Sequence, residues 1–173
     1  GAAATEEQSR VAAEYFASIE YKKWIRVVET DMVPVTRFAG SIHQVVEGGG
    51  QEPIGVRVVE TPVDLHLFEL RDDASSFVAY VPRGAIERGS DLVNTGGGGR
   101  SVTCTICHGS DLRGIGPVPA LAGRSPTYMA RQLYDLQQKN RDGAWSDLMD
   151  RAVRDLTVGD IVDIVAYAAS LDP

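Results

Sequence analysis

The sequence predicts a mainly α protein: a helical second half, preceded by an N-terminal helix and an irregular, partly β-stranded segment. Three observations carry this. Apolar residues recur at helical spacing in TVGDIVDIVAYAASL (157–171), where Ile161, Ile164, Val165 and Ala168 share one face. Between Trp24 and Val81 the texture changes to short β-branched runs broken by Gly and Pro. Both cysteines of the chain fall together in TCTICHG (103–109), inside the helical half.

Taken in order, TEEQSRVAAEYFASIE (5–20) reads as an amphipathic helix with Thr5 as N-cap and acids in its first turn. WIRVVE, GVRVVE, DLHLFEL and SFVAYV read as strands, and GGGQEP (48–53) as a turn or flexible loop. A small antiparallel sheet and an irregular, partly stranded wrap both suit that pattern. After Pro82, GAIERGSDLV (84–93) predicts a short helix closed by the glycine run TGGGGR. The two cysteines follow, then an irregular Gly/Pro-rich stretch at 109–126. A helix is expected at about 127–139, a shorter one near 144–155, and a last one capped by Thr157. The expected organisation is therefore 1–23, an N-terminal helix; 24–83, a strand-rich connecting segment; and 84–173, a helical domain.

The 173 residues carry a net charge of −7, which argues against a nucleic-acid partner, since that would call for a basic patch. The charge favours steering toward a partner that is basic at its docking face. Residues 1–83 hold 8 Lys/Arg against 13 Asp/Glu, and residues 84–173 hold 9 against 11, so most of the acidic excess precedes the cysteines. No apolar run approaches the length needed to span a bilayer.

Four chemistries compete for TCTICHG. Structural zinc needs four ligands, and no second cysteine pair exists; His43 and His66 lie far upstream in strand-like sequence. A thioredoxin-like redox pair needs a βαβ context, whereas the downstream sequence is helical. A disulfide across two intervening residues is strained. The fourth is covalent haem attachment, for which Cys-x-x-Cys-His is the pattern: the Cys104 and Cys107 thiols add to the porphyrin vinyl groups, and His108 falls under the iron. For a sixth ligand the chain offers Met32, in the strand-like region; Met129, in a helix beside Leu133 and Leu136, where packing is its expected role; and Met149, 41 residues after His108.

Residues 84–173 resemble a class I cytochrome c domain, of the kind that closes a bacterial dihaem (c4/c553-like) cytochrome. The resemblance rests on a helix leading into CTICHG, then GIGPVPALAGR, then SPTYMARQLYDLQQKNRDG, then Met149 and LTVGDIVDIVAYAAS, in the family's order. It implies helices around one covalent haem c, with Met149 as distal ligand opposite His108. It also implies that the Pro119 carbonyl receives the histidine's free N–H, and that Leu121 packs on the haem. Arg124, Tyr128 and Arg141 become propionate or haem-edge neighbours. Gly114, Gly116 and the TGGGGR run read as turn or lead-in residues, and Trp24 and Trp145 as packing residues rather than electron relays. Two departures from the family are Arg124, where glutamine is commoner, and the charged setting of Met149 in WSDLMDRA.

The function this implies is electron transfer between protein partners, not catalysis, in the periplasm where covalent haem attachment is completed. A second reading is a catalytic or ligand-binding haem, peroxidase-like or sulfur-oxidising, or a redox subunit of a larger dehydrogenase. One internal echo bears on the first half. Sliding 5–20 onto 157–172 pairs Thr5 with Thr157, Tyr15 with Tyr167, Ala17 with Ala169 and Ser18 with Ser170. The first helix thus resembles the closing helix of a preceding haem domain, removed or decayed, unless two similar helices arose by chance. Its apolar face would then need cover, from a second copy or a docked partner.

Overall fold

The computed structural model describes residues 4–141, 143 and 145–173. The last helix organises the core, so it is described first. Val158–Ser170 forms a helix whose Thr157 N-cap and Asp160 make a reciprocal capping box. Nine of its residues are buried, including Ile161, Ile164, Val165 and Ala168.

Its main partner is the helix Ala85–Thr95, and its second the helix Pro126–Gln137. Numbered in chain order, the helices are α1 (Glu6–Ala17), α2 (Leu65–Glu69), α3 (Ala85–Thr95), α4 (Thr105–His108), α5 (Pro126–Gln137), α6 (Ser146–Val153) and α7 (Val158–Ser170). The fold is mainly α, as the sequence predicts. The α3–α7 approach is set by Gly89: a Cβ there would lie 1.9 Å from the Asp163 carbonyl oxygen and 2.9 Å from Tyr167 Cβ. Only glycine lets the two backbones come so close. Beside that contact, Arg88 grips the buried Asp163 with Nε–Oδ2 at 2.7 Å and Nη2–Oδ1 at 2.8 Å. Glycines with positive φ end α3 and continue to Gly99.

The segment before α3 departs from the expected pattern. Its seven strands are β1 (Ile25–Thr30), β2 (Met32–Pro34), β3 (Thr36–Ala39), β4 (Ile42–Val45), β5 (Gln51–Pro53), β6 (Val59–Pro62) and β7 (Phe77–Pro82). They form a sheet in the order β1-β7-β6 and two hairpin-like pairs, β2-β5 and β3-β4. The three-stranded sheet is mixed, with β1 parallel to β7, so an all-antiparallel sheet is not what forms. DLHLFEL is not a strand but contains α2. Asp64 accepts from Leu67 N at 3.0 Å as its N-cap, and Phe68 meets Phe77 edge-on, so local capping outweighs the apparent alternation. His66 is accordingly an exposed helical residue, not one on a strand face. In GVRVVE only Val59 and Glu60 pair, because Gly55 (φ 59°) turns the chain and Arg57 bonds back to the Ile54 and Pro53 carbonyls. QEP, expected in the turn, is β5.

The sheet shares the main core with the helices: Ile25 and Ala79 pack in one cluster with Leu92, Val93, Leu136, Ile161 and Val165. Two of its glutamates also cap helices. Glu29 of β1 accepts from Ile86 N at 2.9 Å, where Gly84 offers α3 no side-chain cap. Glu60 of β6 accepts from Ser125 Oγ and Thr127 Oγ1, both at 2.7 Å, and from Thr127 N at 3.3 Å, at the start of α5. Trp145 is 61% exposed and Trp24 39%.

Candidate functional site

The cysteine motif folds as the single turn α4, anchored to the end of α3 by a bond from Cys104 N to Val93 O at 2.9 Å. His108 N donates to Cys104 O at 3.0 Å, closing the turn. Spacing of three residues within one turn puts both sulfurs on the same side. Both are free thiols, Cys104 half-buried and Cys107 exposed.

His108 is buried, and its Nδ1 lies 2.8 Å from the Pro119 carbonyl oxygen. A carbonyl only accepts, so Nδ1 carries the proton and Nε2 is left with its lone pair as the coordinating atom. The loop between them is tightly built. Leu112, fully buried at φ 58°, accepts from Leu121 N at 2.7 Å and Ala122 N at 3.1 Å. A Cβ on Gly114 (φ 84°) would lie 2.5 Å from Val118 O, so this turn requires glycine. Gly123 N donates to Ala168 O of α7 at 2.9 Å, tying the loop to the core. Leu121 is partly buried against that core.

Met149 projects from α6, half-buried against the same cluster, whereas Met129 is 6% exposed within it and Met32 is 40% exposed. Gln137 Nε2 holds the end of α6 by donating to the Val153 and Leu156 carbonyls at 2.8 and 2.7 Å. Asp150 is paired with Lys139 and with Arg154; the Lys139 hydrogen bond first, then that of Arg154, holds its carboxyl below the usual range.

Arg124 and Tyr128 come together elsewhere. They line a cavity of about 590 Å³ with Trp24, Tyr21, Phe77 and Arg113, which includes none of Cys104, Cys107, His108 or Met149. Arg124 Nε donates to Ala120 O at 2.6 Å. Arg141 is exposed and bonds Gln132 Oε1 at 2.9 Å. His43 accepts or donates at Thr36 Oγ1 at 3.2 Å, as a half-buried hydrogen-bonded residue. Among the described residues no three His, Cys, Asp or Glu side chains gather as a metal site. Sequence reasoning missed Glu29 and Glu60, whose partners are remote in sequence, and the Arg100–Asp160 pair; only Asp160, at the third position after Thr157, carried a readable capping signal.

The donor set fits a covalently held haem: two free thiols on one turn, an imidazole whose other nitrogen is engaged, and a thioether on a separate helix. The exposed apolar side chains Val102 and Ile106 beside the cysteines, and Trp145 and Leu148 beside Met149, supply the greasy surface such a group covers.

Comparison with known proteins gives the class. Over 69 residues the chain is 38% identical to cytochrome c-554(548) of Halomonas halodenitrificans, matching 39% of this chain and 83% of that protein. It is also 38% identical over 68 residues to cytochrome c-552 of Acidithiobacillus ferridurans, of which it spans only 28%. The chain belongs to the c-type cytochromes. Cytochrome c4 of Acidithiobacillus ferrooxidans aligns at 31% identity over 50% of this chain and 49% of that one, with a TM-score of 0.46. A thiosulfate dehydrogenase from Marichromatium purpuratum aligns at 32% over 51% and 19%, also at 0.46. No protein-family model matches the chain. The chain is an electron-transfer cytochrome of the c type that holds haem c covalently, and no described helix is long and apolar enough to cross a membrane.

Proposed function

We propose that residues 84–173 form a monohaem electron carrier with His108 and Met149 as axial ligands, passing single electrons between protein partners in the periplasm. One observation carries the reading: the 2.8 Å bond from His108 Nδ1 to Pro119 O, one residue beyond two free thiols. Haem c supplies a one-electron ferric/ferrous couple when bound. Cys104 and Cys107 anchor it by thioether bonds, so it stays with the chain through every cycle. His108, held by Pro119, presents Nε2 in one orientation and cannot rotate away. Met149 would supply a thioether to the iron, which would keep water and substrate off it and raise its potential. Leu121 would pack on the porphyrin and Arg141 would serve its polar edge, whereas Arg124 and Tyr128 face the separate cavity and not the haem residues. Asp150, between Lys139 and Arg154, steadies the helix that carries Met149. A partner basic at its docking face suits the acidic chain, and the bare face of α1 is a place for a second copy or that partner to sit.

The optical spectrum of the oxidised holoprotein tests this. A weak near-infrared methionine-to-iron band is expected, and Met149→Ala should abolish it. A high-spin spectrum that shifts with low concentrations of cyanide would instead favour a catalytic or ligand-binding haem. A band that survives Met149→Ala would move the sixth ligand to another residue.

A further inference from the structure

Residues 96–103 connect α3 to Cys104, and Gly96, Gly97, Gly98 and Gly99 all have positive φ. Such a run has little conformational preference of its own, so something else must fix where the cysteine turn sits. Besides the Cys104 N to Val93 O bond at 2.9 Å, two side chains just after the glycines do so. Arg100 pairs through Nη1 with Oδ1 of Asp160, which is buried in the first turn of α7, and its Nε donates to Gly97 O at 3.1 Å. The other oxygen of Asp160 accepts from Thr157 N at 2.9 Å and Thr157 Oγ1 at 2.7 Å. One carboxylate therefore caps α7 and anchors the lead-in loop. The next residue, Ser101, shares its one Oγ hydrogen between the Ala152 carbonyl at 2.9 Å and the carbonyl of its neighbour Val102 at 3.0 Å. Ala152 lies in α6, one turn beyond Met149.

We infer that Arg100 and Ser101 are positioning residues for the iron. Joined to Asp160 and Ala152, they hold the segment bearing His108 at a set distance from the helix bearing Met149. The energetics favour one arrangement over a slack one. A buried carboxylate deprived of its cation is costly, so the loop is held rather than loosely docked. The Ser101 bond gives the same loop a second, independent attachment, directly to the methionine's helix. The inference rests on the His108/Met149 reading.

The test uses the oxidised holoprotein and imidazole, which reaches ferric iron only by displacing methionine. Arg100→Ala should raise the apparent imidazole affinity about tenfold, within the usual range of coupling between sites, and weaken the near-infrared band. Arg100→Lys should recover most of the wild-type behaviour. Ser101→Ala should shift affinity in the same direction by less; it removes one hydroxyl, so the test does not depend on Arg100→Ala folding. The global unfolding midpoint, followed by far-ultraviolet circular dichroism, is measured alongside. Unchanged imidazole affinity in Arg100→Ala and Ser101→Ala overturns the inference, as does a rise that only tracks the fall in global stability. A wild type without the methionine band overturns the ligation reading and this inference together; a wild type with the band and silent variants overturns this inference alone.

Discussion

The first and last helices begin with the same device and end differently. Thr5 and Thr157 each start a helix with a reciprocal capping box, closed by Gln8 in α1 and Asp160 in α7. Both are about the same length, 12 and 13 residues. Yet α7 buries nine residues and α1 none, with Val11, Tyr15, Phe16 and Ile19 left exposed. The difference does not lie in what starts each helix. It lies in what stands opposite: α7 faces Gly89 and Arg88 of α3, and among the described residues α1 has no such partner. A capping box makes a helix, but only a complementary surface makes it part of a core.

The strongest way to undo that contrast is to deny α7 its partner. Gly89→Ala puts a methyl where the Asp163 carbonyl stands 1.9 Å away, and because the obstacle is backbone it cannot swing aside. The expected cost is about 3 kcal/mol or more, at the high end for overpacking. Thermal unfolding of the holoprotein followed by circular dichroism reads it. A loss below about 1 kcal/mol would mean that the α3–α7 crossing is not the centre of the core.

A gentler comparison changes the two caps in the same way. Thr157→Ala removes the acceptor of Asp160 N (3.1 Å) at the start of a buried helix, and should cost about 1 kcal/mol of global stability. In a domain of this size that lowers the melting temperature by about 2–4 °C. Thr5→Ala removes the equivalent bond, from Gln8 N at 3.2 Å, and should leave the melting temperature unchanged while lowering helical signal slightly. Equal shifts in the two variants would show that α1 is packed in solution after all.

The same distinction explains what the sequence made legible. Apart from α2, the helices, the caps Thr5 and Thr157 and the Cys-x-x-Cys-His turn are local patterns, and each appears close to where it is expected. The region between residues 24 and 83 was read less well because its structure is decided by remote partners. DLHLFEL alternates like a strand, but among the described residues no strand pairs with it and Asp64 caps a helix instead. The parallel pairing of β1 with β7 joins segments some fifty residues apart, and nothing in either run announces it. Glu29 and Glu60 cap α3 and α5 from the sheet, through partners that are remote in sequence. The chemistry of the site was carried by short-range spacing, whereas its bracing came from contacts that no spacing encodes.

The weakest link in the contrast is electrostatic. Lys23, just beyond α1, pairs with Asp172 at 2.6 Å and also reaches the Ser170 carbonyl, so it is a direct tie from the first helix's exit to the end of α7. The Lys23 hydrogen bond, and secondarily its charge, lowers the Asp172 carboxyl pKa below its ordinary value. With the folded pKa depressed, the stabilisation is present above the unfolded carboxylate pKa of about 3.9 and is lost as pH falls through the lower folded value. Both side chains are largely exposed, so the tie is weak and salt-screened. Asp172→Asn should therefore lower the melting temperature only marginally near pH 7, and by progressively less as pH falls below the unfolded carboxylate value or as salt rises toward about 1 M. If it instead cost as much as Thr157→Ala, and kept that cost in high salt, the stretch leaving α1 would be held by packing, and the two ends of the chain would be more alike than their burial implies.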